Sequence, residues 1–239
     1  MDTFEDIIQA IQDDLTIDDN SSLYPLALVK RYANRAKAKA EGLFRWPQLI
    51  DSKETSSKVS QEYYEYPDRW RTNSIYRVEM DDLQYGEDPD GSPMLWNDYL
   101  AWRRDSGNAS STDKKWGNHG RLYFIFPVPT TNGSNNITIW GLKVTPDLSA
   151  DGDTTVFSYN MPEGNEAIVR EAVAMLKKKG QDSEGGEFVS VEAKNLLVVA
   201  FGKLKDEMSK YESVQPLFNV GDMFGNSAQD LQNKIGELE

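Results

Sequence analysis

Phe4, Ile7, Ile8, Ile11 and Leu15 recur at the spacing of one helix face, with acidic residues between them. That stripe predicts a first helix, broken by Asp18, Asp19, Asn20 and Ser21. A second helix is predicted to begin near Tyr24-Pro25, because proline suits a first helical turn, where its missing N–H is no loss. Leu28, Val29, Tyr32, Ala33, Ala36 and Ala40 continue one face to a stop at Gly42. The small side chains of Ala33, Ala36 and Ala40 permit close approach of another helix. Lys30, Arg31, Arg35, Lys37 and Lys39 form the one strongly basic stretch, and it reads first as a solvated helix face, second as a contact for an acidic neighbour and third as a contact for DNA.

After Trp46-Pro47 the pattern changes. Val59 to Tyr66 and Ile75 to Met80 alternate, with Tyr76, Val78 and Met80 on one side. Tyr85 to Pro93 reads as a turn region, with Asp90-Gly91 a hairpin signal. Met94 to Arg104 fits a strand or a short helix, and Asp105 to Asp113 an exposed loop. Arg121 to Phe126 and Ile137 to Val144 are predicted strands, closed by Pro127 and Pro146. Asp151-Gly152-Asp153 is a turn before a short final strand, Thr154 to Phe157. Short strands separated by Gly, Pro and Asn predict a small antiparallel sandwich or barrel.

Helix returns at Pro162, with Ile168, Ala172, Met175 and Leu176 as its stripe. Glu163 and Glu166 near its start and Lys177, Lys178 and Lys179 at its end suit the helix dipole. Gln181 to Gly186 reads as an interhelical loop. Glu187 to Tyr211 reads as a long helix with Phe188, Val191, Leu197, Phe201, Leu204, Met208 and Tyr211 on its apolar side. Beyond Pro216 the pattern is irregular until a short amphipathic segment, Ser227 to Glu239, with Ala228, Leu231, Ile235 and Leu238. The fold class expected is α+β: a helical bundle from both chain ends (1–47 and 160–213), an inserted antiparallel β-sandwich or barrel-like domain (48–159) and a C-terminal tail (214–239).

Composition narrows the chemistry. The 239 residues include no cysteine, which excludes disulfides, thiolate metal sites and thiol catalysis. Met1 to Asp14 is too acidic for a signal or transit peptide, and no stretch has the length and apolarity of a membrane-spanning helix, so a soluble protein is expected. The net charge of −13 makes the chain a poor binder of nucleic-acid phosphates.

His119, within Lys115-Trp116-Gly117-Asn118-His119-Gly120, is the single histidine, so any histidine-based triad would have to use it. A loop histidine beside a tryptophan reads as structural or exposed. Asp81-Asp82 and Asp151/Asp153 are the carboxylate pairs that bear on metal or glycosidase chemistry, the latter needing two carboxylates on opposite sides of a sugar; for the stretch holding Asp151 and Asp153 a turn is the better account. Asp147 to Asp153 lacks the ligand spacing of a calcium loop, and no glycine-rich phosphate loop is present. No catalytic, cofactor or metal residue is therefore assigned.

The order of these elements carries a resemblance. Two helices end at Phe44-Arg45-Trp46-Pro47, followed by Tyr64-Glu65-Tyr66-Pro67-Asp68-Arg69-Trp70 leading into Ile75-Tyr76-Arg77-Val78. Then come Arg121 to Pro129, Ile137 to Leu148, and Met161-Pro162 opening two closing helices. This arrangement resembles the head-to-tail adaptor proteins of tailed bacteriophages, over roughly Phe4 to Tyr211. The resemblance implies a ring of about twelve copies docked on a portal protein, in the virion neck, with neck or tail proteins below. It also implies a C-terminal tail that docks on the portal or a neighbour. The positions here are the tail from Pro216, with Leu231, Ile235 and Leu238 as apolar anchors; read from the residues alone, the segment is equally a disordered terminus. A ring with an acidic lumen would let double-stranded DNA pass as cargo without adhering.

Three other readings compete. One is a different phage neck or tail-completion protein. Another is a carbohydrate-binding β module braced by helices, with Tyr63, Tyr64, Trp70, Trp96, Trp102 and Trp116 as its platform. The third is a metal-dependent hydrolase using Asp81, Asp82 or Asp153.

Overall fold

Two helices, a β-rich middle containing one helix, and two further helices follow one another in a computed structural model that describes residues 2–18, 21–86, 91–108 and 112–209. In chain order they are α1 (Phe4–Leu15), α2 (Leu26–Leu43), β1 (Ile50–Thr55), β2 (Tyr63–Glu65), β3 (Arg77–Met80), β4 (Leu83–Tyr85), α3 (Trp96–Arg104), β5 (Lys115–His119), β6 (Leu122–Phe126), β7 (Ile137–Leu142), α4 (Pro162–Lys179) and α5 (Ser183–Ser209).

The two chain ends pack together. Thr3 caps α1 in a reciprocal box with Asp6, each satisfying a backbone N–H of the other. α4 then packs against α1, α2 and α5. Phe4, Ile7 and Ile11 of α1, Val29, Ala33 and Ala36 of α2, Ile168, Ala172 and Leu176 of α4, and Leu197 and Phe201 of α5 form one buried cluster. Alanines at the contacts let the helix backbones approach closely. Leu49, Leu142, Leu148 and Phe157 join the same cluster from the middle of the chain.

Two antiparallel sheets form the middle, in the orders β1-β7-β3-β4 and β2-β6-β5. Tyr64, Val78, Tyr85, Trp116, Tyr123, Ile125, Ile137 and Ile139, drawn from both sheets, share a second cluster. β6 shows why both of its faces are apolar. Tyr123 and Ile125 turn into that cluster, while Phe124 and Phe126 turn towards α3, where Met94, Tyr99, Trp96 and Trp102 complete a third.

The mixed α and β composition and the antiparallel pairing match the sequence expectation; among the described residues the sheets are open, with no closed barrel. Residues 94–104, ambiguous in sequence, contain helix α3. Thr154 to Phe157 is not a strand: Thr154 makes one isolated bridge to Thr3, and 156–160 is a turn. The hairpin of the third and fourth strands turns at Asp81-Asp82, both with positive φ (52° and 60°); Asp90 lies outside the described residues. Gly185 and Gly186 lie in α5, not in a loop, because Asp182 accepts a hydrogen bond from the Gly185 N–H at 3.0 Å and starts the helix there. The strands β1 and β5 have no clear signature in the sequence. β1 has four central exposed residues, and its pairing with β7 alone defines it.

Candidate functional site

The side chains with catalytic potential all have structural duties. His119 ends strand β5, rather than sitting in a loop, and its ring stacks on Trp96 at 4.5 Å. Asp81 accepts from the Asn136 side chain at 3.1 Å across the hairpin turn. Asp153 accepts the backbone N–H groups of Ser149 and Ala150 at 2.7 and 2.8 Å. Those bonds hold its carboxyl below the ordinary carboxylate range. Asp151 pairs with Lys30 at 3.0 Å. Among the described residues, no group of three or more His, Asp or Glu stands where it could hold a metal ion.

The sugar platform is dismantled by burial. Trp116 is 0% exposed and Trp70 4%, and Tyr64 is also buried. Trp116 donates its ring N–H to Gly91 O at 2.9 Å, and Trp70 packs within 2.6 Å of where a Cβ on Gly141 would lie. These rings are core. Tyr63 alone of the six is largely exposed.

The helical ends carry the features suited to assembly. The basic face of α2, which reads in sequence as solvated, is divided. Lys37, with Glu41, is buried, because Thr145 and Pro146 cover it from 108 residues away in the chain. The Lys37 ammonium donates to the Thr145 hydroxyl and, at 2.9 Å, to Pro146 O; the hydroxyl donates to Glu41 at 2.7 Å. The Glu41 carboxylate lies 3.4 Å from the ammonium. Beside them, Asn34 exchanges two bonds with Leu148, at 2.7 and 2.9 Å. A buried pair of this kind is tolerated because every partner is supplied. Across the helices, Glu171 of α4 accepts from Lys39 of α2 and, at 2.9 Å, from Ser190 of α5.

The side of α2 facing away from the buried Val29, Ala33, Ala36 and Ala40 is free of these contacts. Ala27, Arg31, Arg35, Ala38 and Gly42 are all exposed along it. Both guanidinium groups lie over the ring of Tyr32, at 5.9 and 5.2 Å.

α5 has two apolar faces. Val189, Ala193, Leu197, Ala200 and Phe201 are buried, and Phe201 stacks on Phe44 at 4.7 Å. Phe188 and Val191, expected on that inner side, instead point to solvent, Phe188 with 67% of its surface exposed. With Val198 and Val199 they form a stripe along the outer face, interrupted by Asn195 and ending at Gly202, all exposed. The sequence carries the signal: a helix apolar all round has partners on two sides. Among the described residues only one side is covered.

The docking residues expected in the tail, Pro216, Leu231, Ile235 and Leu238, lie outside the described residues, as does Tyr211. No described helix is long and apolar enough to cross a membrane.

A family model described as SU10 adaptor protein matches residues 2–214, nearly the whole chain. No curated protein matches it.

Proposed function

The chain belongs to the SU10 adaptor protein family, and on that premise we propose that it is a head-to-tail adaptor, joining a portal protein to the neck or tail as a ring. A phage adaptor is a structural protein of the virion, and its association is with portal and tail components. The observation that carries the reading is the family match over residues 2–214. It is supported by the packing of the helices from both sides of the β region into one layer, in which no described residue covers the outer apolar face of α5. Large exposed apolar stripes mark interaction surfaces.

The chain divides, in this reading, into a helical unit (1–47 and 160–213), an inserted β unit (48–159) and a docking tail (214–239). The helical unit forms the ring and faces the portal, and the β unit projects outward or towards the tail. The net charge of −13 per copy is multiplied in the ring and keeps packaged DNA from adhering as it passes. A basic channel lining in a ring reconstruction would remove that part of the proposal.

The test is direct. Full-length protein mixed with its portal protein is imaged by electron microscopy. Rings, alone or seated on the portal, are expected; a protein that remains a single copy on every portal preparation overturns the adaptor ring. For the tail, the variant Leu231→Asp, Ile235→Asp, Leu238→Asp is expected to keep the circular dichroism of the parent and to lose portal docking. Docking at parental strength removes the tail's role. The carbohydrate reading has no comparable support, since Tyr64, Trp70 and Trp116 are core residues.

A further inference from the structure

From the two helix faces that no described residue covers we infer that the outer face of α5 on one copy packs against the outer face of α2 on the next, so that copies join head to tail. The inference rests on the adaptor-ring reading and names the surfaces that make the ring.

Shape is the first argument. The α5 stripe runs from Phe188 to Gly202, about 21 Å of helix at 1.5 Å per residue. The exposed α2 face runs from Ala27 to Gly42, about 22 Å on the same rise. One face projects Phe188, Val191, Val198 and Val199; the other offers Ala27, Ala38 and Gly42, where side chains leave room for such knobs. Neither face suits a copy of itself so well: two α5 faces would set Phe188 and the valines against one another, and two α2 faces would set arginines against arginines.

Charge is the second. Arg31 and Arg35 are the exposed charges along the α2 face, pre-ordered over Tyr32. At the start of α5, Glu184 and Glu187 are exposed next to Phe188. Among the described residues none of these four takes part in an ion pair within the chain. On a chain of net charge −13, copies repel one another in general, so contact needs a local basic surface placed against an acidic one. Because the two faces differ, the contact is heterologous. A heterologous contact closes into a ring when its rotation permits, whereas an isologous one stops at a pair.

Charge reversal tests this with the full chain. One variant carries Arg31→Glu and Arg35→Glu, the other Glu184→Arg and Glu187→Arg. Assembly is followed by sedimentation velocity, alone and with the portal. Each variant by itself sets like charge against like at every junction and is expected to assemble on the order of a hundredfold more weakly. In an equal mixture, copies that alternate restore an acidic-to-basic contact at every junction, so assembly is expected to recover. All four positions are exposed, and unchanged thermal melting verifies that both variants fold. Parental assembly by either variant alone overturns the inference while leaving the ring reading intact; that is the result if the chain's own tail, the portal or a second α5 covers the face. A mixture that fails to recover overturns it as well. If the parent protein forms no oligomer under any of these conditions, the ring reading itself falls.

Discussion

The helical layer and the paired sheets are both buried, but they are held by different means. The sheets enclose rings: Tyr64, Tyr66, Trp70, Tyr85, Trp116 and Tyr123 fill one cluster, and Tyr64 and Tyr123 stack at 5.5 Å. Their polar atoms are mostly the hydroxyl and indole tips of those same rings. Burial pushes the Tyr66 and Tyr85 hydroxyls up to about 12, so they stay neutral donors throughout the physiological range. The helical layer is built mainly from alanine and branched aliphatic side chains around a smaller group of rings, Phe4, Trp46, Phe157 and Phe201, and is pinned by buried polar groups from distant parts of the chain: Lys37, Glu41, Asn165, Glu171 and Ser190. Asn165 of α4 donates to Asp2 at 3.0 Å and to Ser158 at 3.2 Å, tying the first residues to the last helices. Apolar filling tolerates small shifts, whereas a polar pin specifies one arrangement. The layer assembled from both chain ends is the one that needs its register specified.

The largest effect expected is in the sheets. Trp116→Ala removes a fully buried ring at the centre of the aromatic cluster and should cost about 3–5 kcal/mol, read as a lowered midpoint in denaturant titration. The helical counterpart is Lys37→Met, which leaves the Glu41 carboxylate buried beside a lost cation and should cost about 3 kcal/mol. The double variant Lys37→Met, Glu41→Leu should be less destabilised than the single one, because no charge is stranded. A single variant as stable as the parent would mean that the layer is held by apolar contacts alone, and the contrast with the sheets would disappear.

Periodicity makes α1 and α2 legible in the sequence, because their apolar positions are buried on one face against other helices; α4 is legible from its stripe and end charges, although it packs on three helices and is buried on nearly every side. It fails where the deciding partner is remote. Lys37 reads as one more cation on a basic helix until Thr145 and Pro146 are brought over it. β5 contains only one large apolar residue, Trp116, and is a strand because β6 pairs with it from Lys115 to His119. The outer stripe of α5 is visible as apolar residues, but sequence cannot divide apolar residues between an internal and an external partner, which is why Phe188 and Val191 read as inward-facing. The family resemblance, by contrast, rests on the order of elements, which survives such local errors, and the family match bears it out.

A glycine pair within α5 sharpens the comparison of its two faces at a smaller scale. A Cβ on Gly186 would lie 2.8 Å from the Ala174 carbonyl oxygen of α4 and 2.6 Å from the Lys178 Cγ. A Cβ on Gly202 would meet nothing within 4 Å. Alanine gains up to about 1 kcal/mol over glycine in a helix interior. Gly202→Ala should therefore raise single-copy stability by up to that amount. Gly186→Ala should lower it by about 1–2 kcal/mol, since the backbone of α4 must move away. Opposite signs in thermal melting are the expected outcome. Equal signs would mean that α4 and α5 are not in such close contact at Gly186.

The smallest effect expected is in the polar joint that the β region uses for α3. Glu62, ahead of β2, accepts from Tyr99 at 2.9 Å and from Arg103 at 2.7 Å. Partial burial works against its ionisation, but the bonds from Arg103 and Tyr99 outweigh it, and its carboxyl titrates below the ordinary value of 4.5. Burial raises the Tyr99 hydroxyl, so that it remains the donor. A carboxylate with a depressed folded value adds stability that is fully present above 4.5 and is lost as the pH falls through the lower folded value. The protection of α3 amides relative to their intrinsic exchange should accordingly fall in that acid window. In Glu62→Gln that step in the α3 profile should be absent, and exchange near neutral pH should be faster than in the parent. The pair is half-exposed, so the effect is modest beside the loss of Lys37. An α3 profile that keeps the acid step without Glu62 would assign the anchoring of that helix to Trp96, Trp102 and the phenylalanines of β6 alone, leaving the polar pins of the β region to ring tips such as Tyr66 on Asn118 and Trp116 on Gly91.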